Sequence, residues 1–396
     1  MRRSLVLAVL LLLSSAALPA AGHATQRMKS AGLVDGRVDF DGGFAYWVES
    51  GWVRGKTGRW TFRNDVVRWD LKTGRGSAIF STKRFELGEV SAGGGRVLFS
   101  AMRTTSNRTH LKTKSRLYVV EPGASSAVLV AKGNSTFPRS AAPAALGANR
   151  WCGKVFMVQD VSEGGEIAYE VLDAGSCHGK QQRATEMVFV QAAGGEPRAY
   201  PTGSGDYGDL TYVNGRRLGT EDLDDDSTRI FDRDTGETVE LPKLGSTETV
   251  YGGWRYFLVD FGLPVIARGS DTAFLVQSER AEGTSAVLLT HGGVFNPFAR
   301  FKLAANSAAD VALCGPGAVV LRARQREITT SDNYTQFPGS GPLTLFQLGT
   351  DARVINKSTF SHRPIEGIGC DTQNAYLVVE TKRRPAVQIR PLAAWD

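Results

Sequence analysis

The residues in this sequence that could hold another molecule are mainly basic side chains, with two tryptophans among them. The first group is Trp52, Arg54, Lys56, Arg59 and Trp60. The others, in later segments, are Arg103, Arg108, Lys112, Lys114, Arg116, Arg383 and Arg384. Ammonium and guanidinium groups bind phosphate or carboxylate groups, and an exposed indole can stack on a sugar or a base. The tryptophans could equally pack their segment onto neighbouring strands, and the pattern leaves both interpretations open.

Patterns that would indicate catalysis or a metal site are scarce. The sequence contains no Gly-x-Ser-x-Gly, His-Glu-x-x-His, Walker or Cys-x-x-Cys motif. The acidic run 222–226 lacks the spacing of a calcium loop, which favours a solvated turn. His110 and His362 fall in connections that could reach one face, so catalysis there is an alternative. We expect no metal ion and no cofactor, and we favour a protein that is not an enzyme.

The N-terminus has the pattern of a secretory signal peptide. Arg2 and Arg3 precede an apolar run at 5–13, and small residues follow up to Ala24. That run is shorter than the roughly 20 residues that a membrane-spanning helix needs, which disfavours an anchor. We therefore predict a leader at 1–24 and a secreted or cell-envelope mature chain at 25–396, with no transmembrane segment in it.

The elements that would position these residues are short strands joined by tight turns. Within 65–80, Val67, Trp69 and Leu71 alternate with more polar neighbours, which is the period-two pattern of a half-buried strand. In the turn that follows, Asp70 can accept backbone N–H groups and Gly74 can adopt positive φ. This combination predicts a type I turn with a glycine bulge.

The strand and turn outline recurs about every 53 residues, which predicts seven units of four strands each. Units of that size are typical of β-propeller blades. We therefore predict an all-β fold: a single β-propeller domain over 25–396, with seven four-stranded blades. In the first two units, the connections between the second and third strands are predicted as loops at 49–64 and 102–115.

The layout resembles the TolB-like, WD40-like family of secreted bacterial β-propellers, through the blade period and the Asp-x-x-Thr-Gly turns at Asp70 and Asp232. It covers most of the mature chain but lacks the Gly-His and Trp-Asp signature of WD40 repeats. The resemblance implies a ring-shaped binding platform. It carries over no activity and no functional residue.

The seventh unit shows only three strands, which would leave an unpaired edge. We predict that residues between Thr25 and Val34 supply the missing outer strand. The two ends of the mature chain would then meet in one sheet.

The four cysteines of an exported chain are expected to form two disulfides. Cys314 and Cys370 end the first strands of consecutive units at the same register, and Cys152 and Cys177 flank one antiparallel strand pair. These positions predict the pairs Cys314–Cys370 and Cys152–Cys177. The alternative is that some cysteines are free core thiols.

The basic residues are expected to gather on one face of the ring. Connections between second and third strands all emerge on the same side of a propeller, and units six, seven, one and two are neighbours after closure. The acidic run 222–226 belongs to unit four, across the ring. The alternative is that basic loops only keep the protein soluble, since Glu49 and Asp65 flank the first loop.

These features together favour a non-catalytic binding or scaffold protein. Its expected partner is another protein or an anionic polysaccharide of the cell envelope, with no specific nucleic acid. The alternative is an extracellular carbohydrate-active lyase or lactonase whose site lies at the channel mouth. The fold by itself does not select between these functions.

Overall fold

The computed structural model describes twenty-nine strands and some of the turns that join them. The described residues are 25–27, 33–54, 60–107, 110–138, 152–162, 164–176, 185–201, 208–213, 216–221, 228–231, 238–240, 256–258, 266–268, 271–278, 285–290, 300–302, 307–324, 343–360, 363–380 and 385–395. The leader predicted at 1–24 and the acidic run 222–226 lie outside them. Among the described residues, no helix has the length and hydropathy to cross a membrane.

Regular structure in this part of the chain is entirely β-strand. The strands of the first half are β1 (Thr25–Arg27), β2 (Leu33–Asp41), β3 (Phe44–Arg54), β4 (Trp60–Asp70), β5 (Arg75–Thr82), β6 (Glu86–Gly93), β7 (Arg96–Ser106), β8 (His110–Val120), β9 (Val128–Pro138), β10 (Cys152–Val161), β11 (Ile167–Asp173), β12 (Thr185–Gln191), β13 (Arg198–Pro201) and β14 (Gly208–Val213). Those of the second half are β15 (Arg216–Glu221), β16 (Thr228–Phe231), β17 (Thr238–Glu240), β18 (Tyr256–Leu258), β19 (Ile266–Arg268), β20 (Asp271–Ser278), β21 (Ser285–Thr290), β22 (Arg300–Lys302), β23 (Ser307–Cys314), β24 (Gly317–Arg324), β25 (Leu343–Leu348), β26 (Val354–Phe360), β27 (Arg363–Cys370), β28 (Asn374–Glu380) and β29 (Pro385–Pro391).

The strands form antiparallel meanders in chain order. Four-stranded sheets are made by β2–β5, by β14–β17 and by β23–β26, while β18, β20, β21 and β22 form a sheet in which β19 also pairs with β20. The meanders β6–β9 and β10–β13 join into one eight-stranded sheet, because Cys152 and Gly153 pair with Thr136 and Ser135. The all-β class is therefore as predicted, and the count of seven blades stays a prediction.

The N-terminal strand β1 lies in the last sheet, in the order β1-β29-β28-β27. Thr25 pairs with Gln388 and Arg27 pairs with Ala386 in an antiparallel ladder. The segment after residue 24 therefore supplies an outer strand to the sheet that ends the chain, as its position in the sequence predicts. In addition, β27 of that sheet contacts β2 of the first one.

Neighbouring sheets pack face to face through apolar clusters. Phe99 and Tyr118 stack with ring centroids 5.5 Å apart, and Phe80 of the first sheet lies 4.9 Å from each of those two centroids. Trp47 and Trp69 are almost fully buried on the opposite face of the first sheet, where they meet residues of the last sheet. Two further clusters join β6–β9 to β10–β13 and β23–β26 to β27–β29.

The turn between β4 and β5 has the predicted geometry. One carboxylate oxygen of Asp70 accepts the N–H groups of Lys72 at 2.8 Å and Thr73 at 2.9 Å. Gly74 has φ of +64° and donates its N–H to the Asp70 carbonyl at 2.9 Å. The hydrogen bonds from Thr73 and Lys72 lower the pKa of Asp70, although slight desolvation opposes them. The equivalent turn at Asp232 lies outside the described residues.

The prediction of loops at 49–64 and 102–115 is wrong, because β3 and β4 extend through most of the first range and β7 and β8 through most of the second. In the second range, residues 103–106 and 112–115 are polar on both faces, so they lack the alternation of apolar and polar residues by which half-buried strands are recognised. The hairpins nevertheless continue, because the hydrogen bonds between strands join backbone groups and do not depend on the side chains.

One polar network joins the first strands of three meanders. The Ser91 hydroxyl lies 3.2 Å from a carboxylate oxygen of Asp39 and 3.1 Å from one of Asp160, and it accepts the Val161 N–H at 3.0 Å. The same Asp39 oxygen accepts the N–H of Ala92 at 2.7 Å. Because these residues belong to β2, β6 and β10, the network fixes the relative positions of three meanders.

The predicted disulfide Cys314–Cys370 is confirmed, with the two Cα atoms 5.6 Å apart. It links the ends of β23 and β27, which are first strands of successive sheets. Cys152 is also disulfide-bonded. Its predicted partner Cys177 lies outside the described residues, so the pair Cys152–Cys177 stays a prediction.

Replacing Phe99 by alanine is expected to destabilise the fold by about 3–5 kcal/mol, because it opens a cavity between the first two sheets. Urea-induced unfolding monitored by tryptophan fluorescence measures the change. Phe62 is 42% exposed, so Phe62→Ala is the matched control and should cost much less. Equal losses for the two variants would contradict the assignment of the core.

Peptide mapping of unreduced protein tests the second disulfide. We expect a peptide that contains Cys152 linked to one that contains Cys177, which become separate on reduction. Recovery of the Cys314–Cys370 link in the same digest serves as the internal control. A link from Cys152 to any other residue would overturn the pairing.

Candidate functional site

A three-stranded surface on the second sheet carries the densest group of described basic residues. We name it the basic face, and it consists of Arg103, Lys112, Lys114, Arg116 and Lys132. Arg103 lies on β7, Lys132 lies on β9, and the other three occupy alternate positions of β8. Residues two apart in a strand project from the same side of the sheet. The five side chains therefore share one side.

The ladder register arranges this side in three rows, and the outermost row contains Lys112. Arg103 pairs with Lys114, and Lys114 pairs with Asn134. One row further toward the core, Arg116 pairs with Lys132. Directly opposed residues have Cβ atoms about 5 Å apart, and successive rows along a strand are about 6.6 Å apart. The basic face is therefore a grid of positive charges with regular spacing.

The opposite side of β8 is neutral and largely buried. Thr104 and Thr113 share a hydrogen bond of 3.0 Å between their hydroxyls, and Ser115 accepts the N–H of Phe156 at 3.3 Å. Thr113 and Ser115 are almost fully buried against the third meander. The alternation of Lys or Arg with Thr or Ser along β8 therefore separates a solvent side from a packed side.

Arg116 fixes the inner end of the basic face. Its guanidinium carbon lies 4.5 Å from the centroid of the Phe85 ring, and its Nη1 donates to the Tyr118 hydroxyl at 3.2 Å. The carbonyl of Phe85 accepts a hydrogen bond of 2.7 Å from the side-chain amide of Asn64 in the first sheet. This chain of contacts holds the connection between β5 and β6 beneath the charged rows.

The basic face has no acidic counterpart among the described residues. None of its five side chains lies within 4.0 Å of a described carboxylate, whereas Arg63, Arg96 and Arg353 do. Two positive residues that stand directly opposite each other on a sheet destabilise it. Repulsion within the two opposed pairs, Arg103–Lys114 and Arg116–Lys132, therefore destabilises the sheet. A bound anion would relieve this repulsion.

Glu49 and Asp65 do not neutralise this surface. They pair directly across β3 and β4, and they are 6% and 5% exposed. Their strand neighbours Val48 and Val66 point toward the second sheet, so the two carboxylates lie on the other side of the first sheet. Asp65 is also ion-paired to Arg63 at 2.6 Å. The sequence argument against a charged face therefore does not hold for these two residues.

A cleft of about 510 Å³ lies beside the basic face, where β9 and β10 meet. Its lining includes Lys132 and Asn134 of β9, Lys154 of β10, and Asp173 at the end of β11. The cleft is bordered by a close approach of two backbones, since a Cβ at Gly133 would lie 2.5 Å from the Lys154 carbonyl oxygen. Larger residues at this junction would push the strands apart.

Only some of the other predicted binding residues lie in the described part of the chain. The β3–β4 ladder pairs Trp52 with Phe62 and Arg54 with Trp60, so these are strand residues. Lys56, Arg59, Arg108, Arg383 and Arg384 lie outside the described residues, as does His362. A charged rim shared with the last sheet therefore stays a prediction.

Sequence reasoning missed Lys132 and Asn134, because the apolar run 127–130 by itself predicts a strand that ends near Val130. A signal was present, since the small residues Ala131 and Gly133 alternate with Lys132 and Asn134. Only their pairing with β8 brings these residues beside Lys114 and Arg116. Within the described residues, no group of three or more His, Cys, Asp or Glu side chains is arranged to hold a metal ion.

Comparison with known proteins identifies the fold and no family. No protein-family model and no curated protein sequence matches the chain. Acylaminoacyl peptidase from Pyrococcus horikoshii is similar over 93% of this chain, with 10% identity and a TM-score of 0.52 in its orthorhombic crystal form and 0.50 uncomplexed. The β-propeller domain of the Trilobed protease from Pyrococcus furiosus has 10% identity and a TM-score of 0.49, over 93% of this chain and 97% of that one.

This chain spans only 54% of the matched peptidase chain. At such low identity the likeness concerns the fold alone. Together with the successive antiparallel sheets, it shows that the chain has a β-propeller fold. The finer resemblance to TolB-like and WD40-like proteins stays a prediction.

Replacing Arg103 by glutamate is expected to stabilise the protein by about 0.2–1 kcal/mol at low salt, because it converts the opposed pair with Lys114 into an ion pair. Urea unfolding at low and high ionic strength measures the gain, which should shrink as salt screens both charges. The variant Arg103→Gln, which removes the repulsion alone, should be intermediate. Destabilisation of Arg103→Glu at low salt would contradict the proximity of the two residues.

Proposed function

We propose that this protein is a non-catalytic binding β-propeller and that its basic face holds an anionic polymer of the cell envelope. The observation that carries the proposal is the regular grid of five basic side chains without described acidic partners. A flexible polyanion can place charges along successive rows and so relieve the repulsion between opposed residues. A compact, singly charged ligand would meet only one row.

The proposed location is outside the cell membrane. The leader predicted at 1–24 would direct export, and a disulfide such as Cys314–Cys370 persists in an oxidising compartment. Envelope polymers rich in carboxylate or phosphate groups are available there. A protein partner with an acidic surface is the alternative occupant, and binding of purified polymers separates the two.

The test is binding of polygalacturonate and of long-chain polyphosphate by the full chain, at several salt concentrations. The triple variant Lys112→Ala, Lys114→Ala and Lys132→Ala should bind both polymers more weakly. The slope of log K against log salt should become shallower by about two, since each lost contact releases about 0.7 fewer counterions. The melting temperature should change little, because exposed substitutions usually cost within about 0.5 kcal/mol each.

A matched triple variant removes three exposed basic residues elsewhere, Lys72, Arg75 and Lys357, so that net charge falls equally. We expect it to keep the affinity and salt slope of the native protein. Equal losses in the two triple variants would mean non-specific attraction to net charge and would refute the basic face. Absence of binding to both polymers by the native chain would refute the proposal in favour of a protein partner.

A further inference from the structure

From the cleft beside the basic face we infer that the bound polymer is an acidic polysaccharide, and that the cleft holds one of its sugar units. This inference rests on the proposed function, because the basic face brings the polymer to the cleft. The cleft volume of about 510 Å³ lies within the range of about 300–1,000 Å³ that is usual for small-molecule sites.

The cleft differs from the basic face because it contains both signs of charge. Lys154 and Asp173 pair directly across β10 and β11, with Nζ 2.7 Å from the carboxylate Oδ2. Their side chains are 55% and 29% exposed, so both remain accessible from the cleft. The second carboxylate oxygen accepts the Gly175 N–H at 2.9 Å. A fixed carboxylate therefore forms part of a site that is otherwise basic.

Asp173 remains charged at neutral pH. Burial opposes its ionisation, but the hydrogen bonds from Lys154 and the Gly175 backbone prevail and hold the pKa of Asp173 below its usual value. An ionised carboxyl group has about four acceptor positions. The two protein donors leave positions on both oxygens, and those can accept hydrogen bonds from ligand hydroxyls.

The presence of Asp173 distinguishes between classes of polyanion. A polyphosphate chain has anionic oxygens along its whole length and few donors, so a charged carboxylate in the cleft wall repels it. A uronic acid unit has hydroxyl groups that can donate to Asp173, while its own carboxylate can approach Lys132. Asn134 adds both an amide donor and a carbonyl acceptor, which suits a ring of hydroxyl groups.

The path from cleft to basic face is continuous. Lys132 belongs to both, and its neighbour in the ladder is Arg116. Asn134 likewise pairs with Lys114, which stands opposite Arg103. A sugar unit in the cleft would therefore have its chain neighbours beside rows of positive charge, so that successive carboxylates of one polysaccharide contact the grid.

The experiment compares tetragalacturonate with tetrapolyphosphate by calorimetry on the full chain. The native protein should bind the oligosaccharide more tightly, despite the higher charge density of the phosphate. Asp173→Asn should weaken the binding of tetragalacturonate by about threefold to tenfold, since charge-assisted hydrogen bonds become neutral ones. The same variant should bind tetrapolyphosphate equally well or more tightly. Asn134→Ala, at an exposed position, should also weaken the binding of the oligosaccharide.

Asp351→Asn is the matched control, because Asp351 forms a comparable exposed ion pair with Arg353, at 3.1 Å, away from the cleft. It should leave both affinities unchanged. Tighter binding of tetrapolyphosphate by the native protein, or an unchanged affinity of Asp173→Asn and Asn134→Ala for tetragalacturonate, would overturn the inference. Either result is compatible with a functioning basic face, whose own failure would appear in the comparison of the two triple variants or as absence of binding to the long polymers.

Discussion

Apolar packing between successive sheets is the interaction on which the rest of this structure depends. A four-stranded antiparallel sheet has two faces and cannot bury either one by itself. Here each meander covers the next, as Phe80, Phe99 and Tyr118 do between the first two sheets. The packing also brings the ends of the chain together, because β1 can reach β29 only when the last sheet lies beside the first.

The extent of that packing also determines where function can reside. In β7 the buried row ends at Ala101, and the next residue on the same side is Arg103, which is exposed. Beyond the contact with the first sheet, Arg103, Lys112 and Lys114 are exposed on this side, and the backbone ladders join β7, β8 and β9. Side chains in this extension do not have to fill a core, so the positions are available for charged residues that face solvent.

The distribution of charge follows the same division. Glu49 and Asp65 lie on a packed side, where Arg63 balances one of them. Arg96 is also buried, and it pairs with Glu121 at 2.6 Å. The residues of the basic face are arranged differently, since like charges are opposed across the ladder and no described carboxylate is close. Uncompensated charge in a protein is more informative about binding than paired charge, because pairing already satisfies the local electrostatics.

The sequence by itself determined the local geometry and several long-range contacts. Alternation around Trp69 predicted a half-buried strand, and Asp70 with Gly74 predicted the turn, because both depend on neighbouring residues only. The Cys314–Cys370 bond and the pairing of β1 with the last sheet followed from equivalent positions in a repeat. Tertiary structure decided the candidate site. Whether Arg103 faces Lys114, whether Lys132 joins them, and whether Asp65 is buried all depend on cross-strand register and sheet packing, and a shift of one residue would move each side chain to the other face.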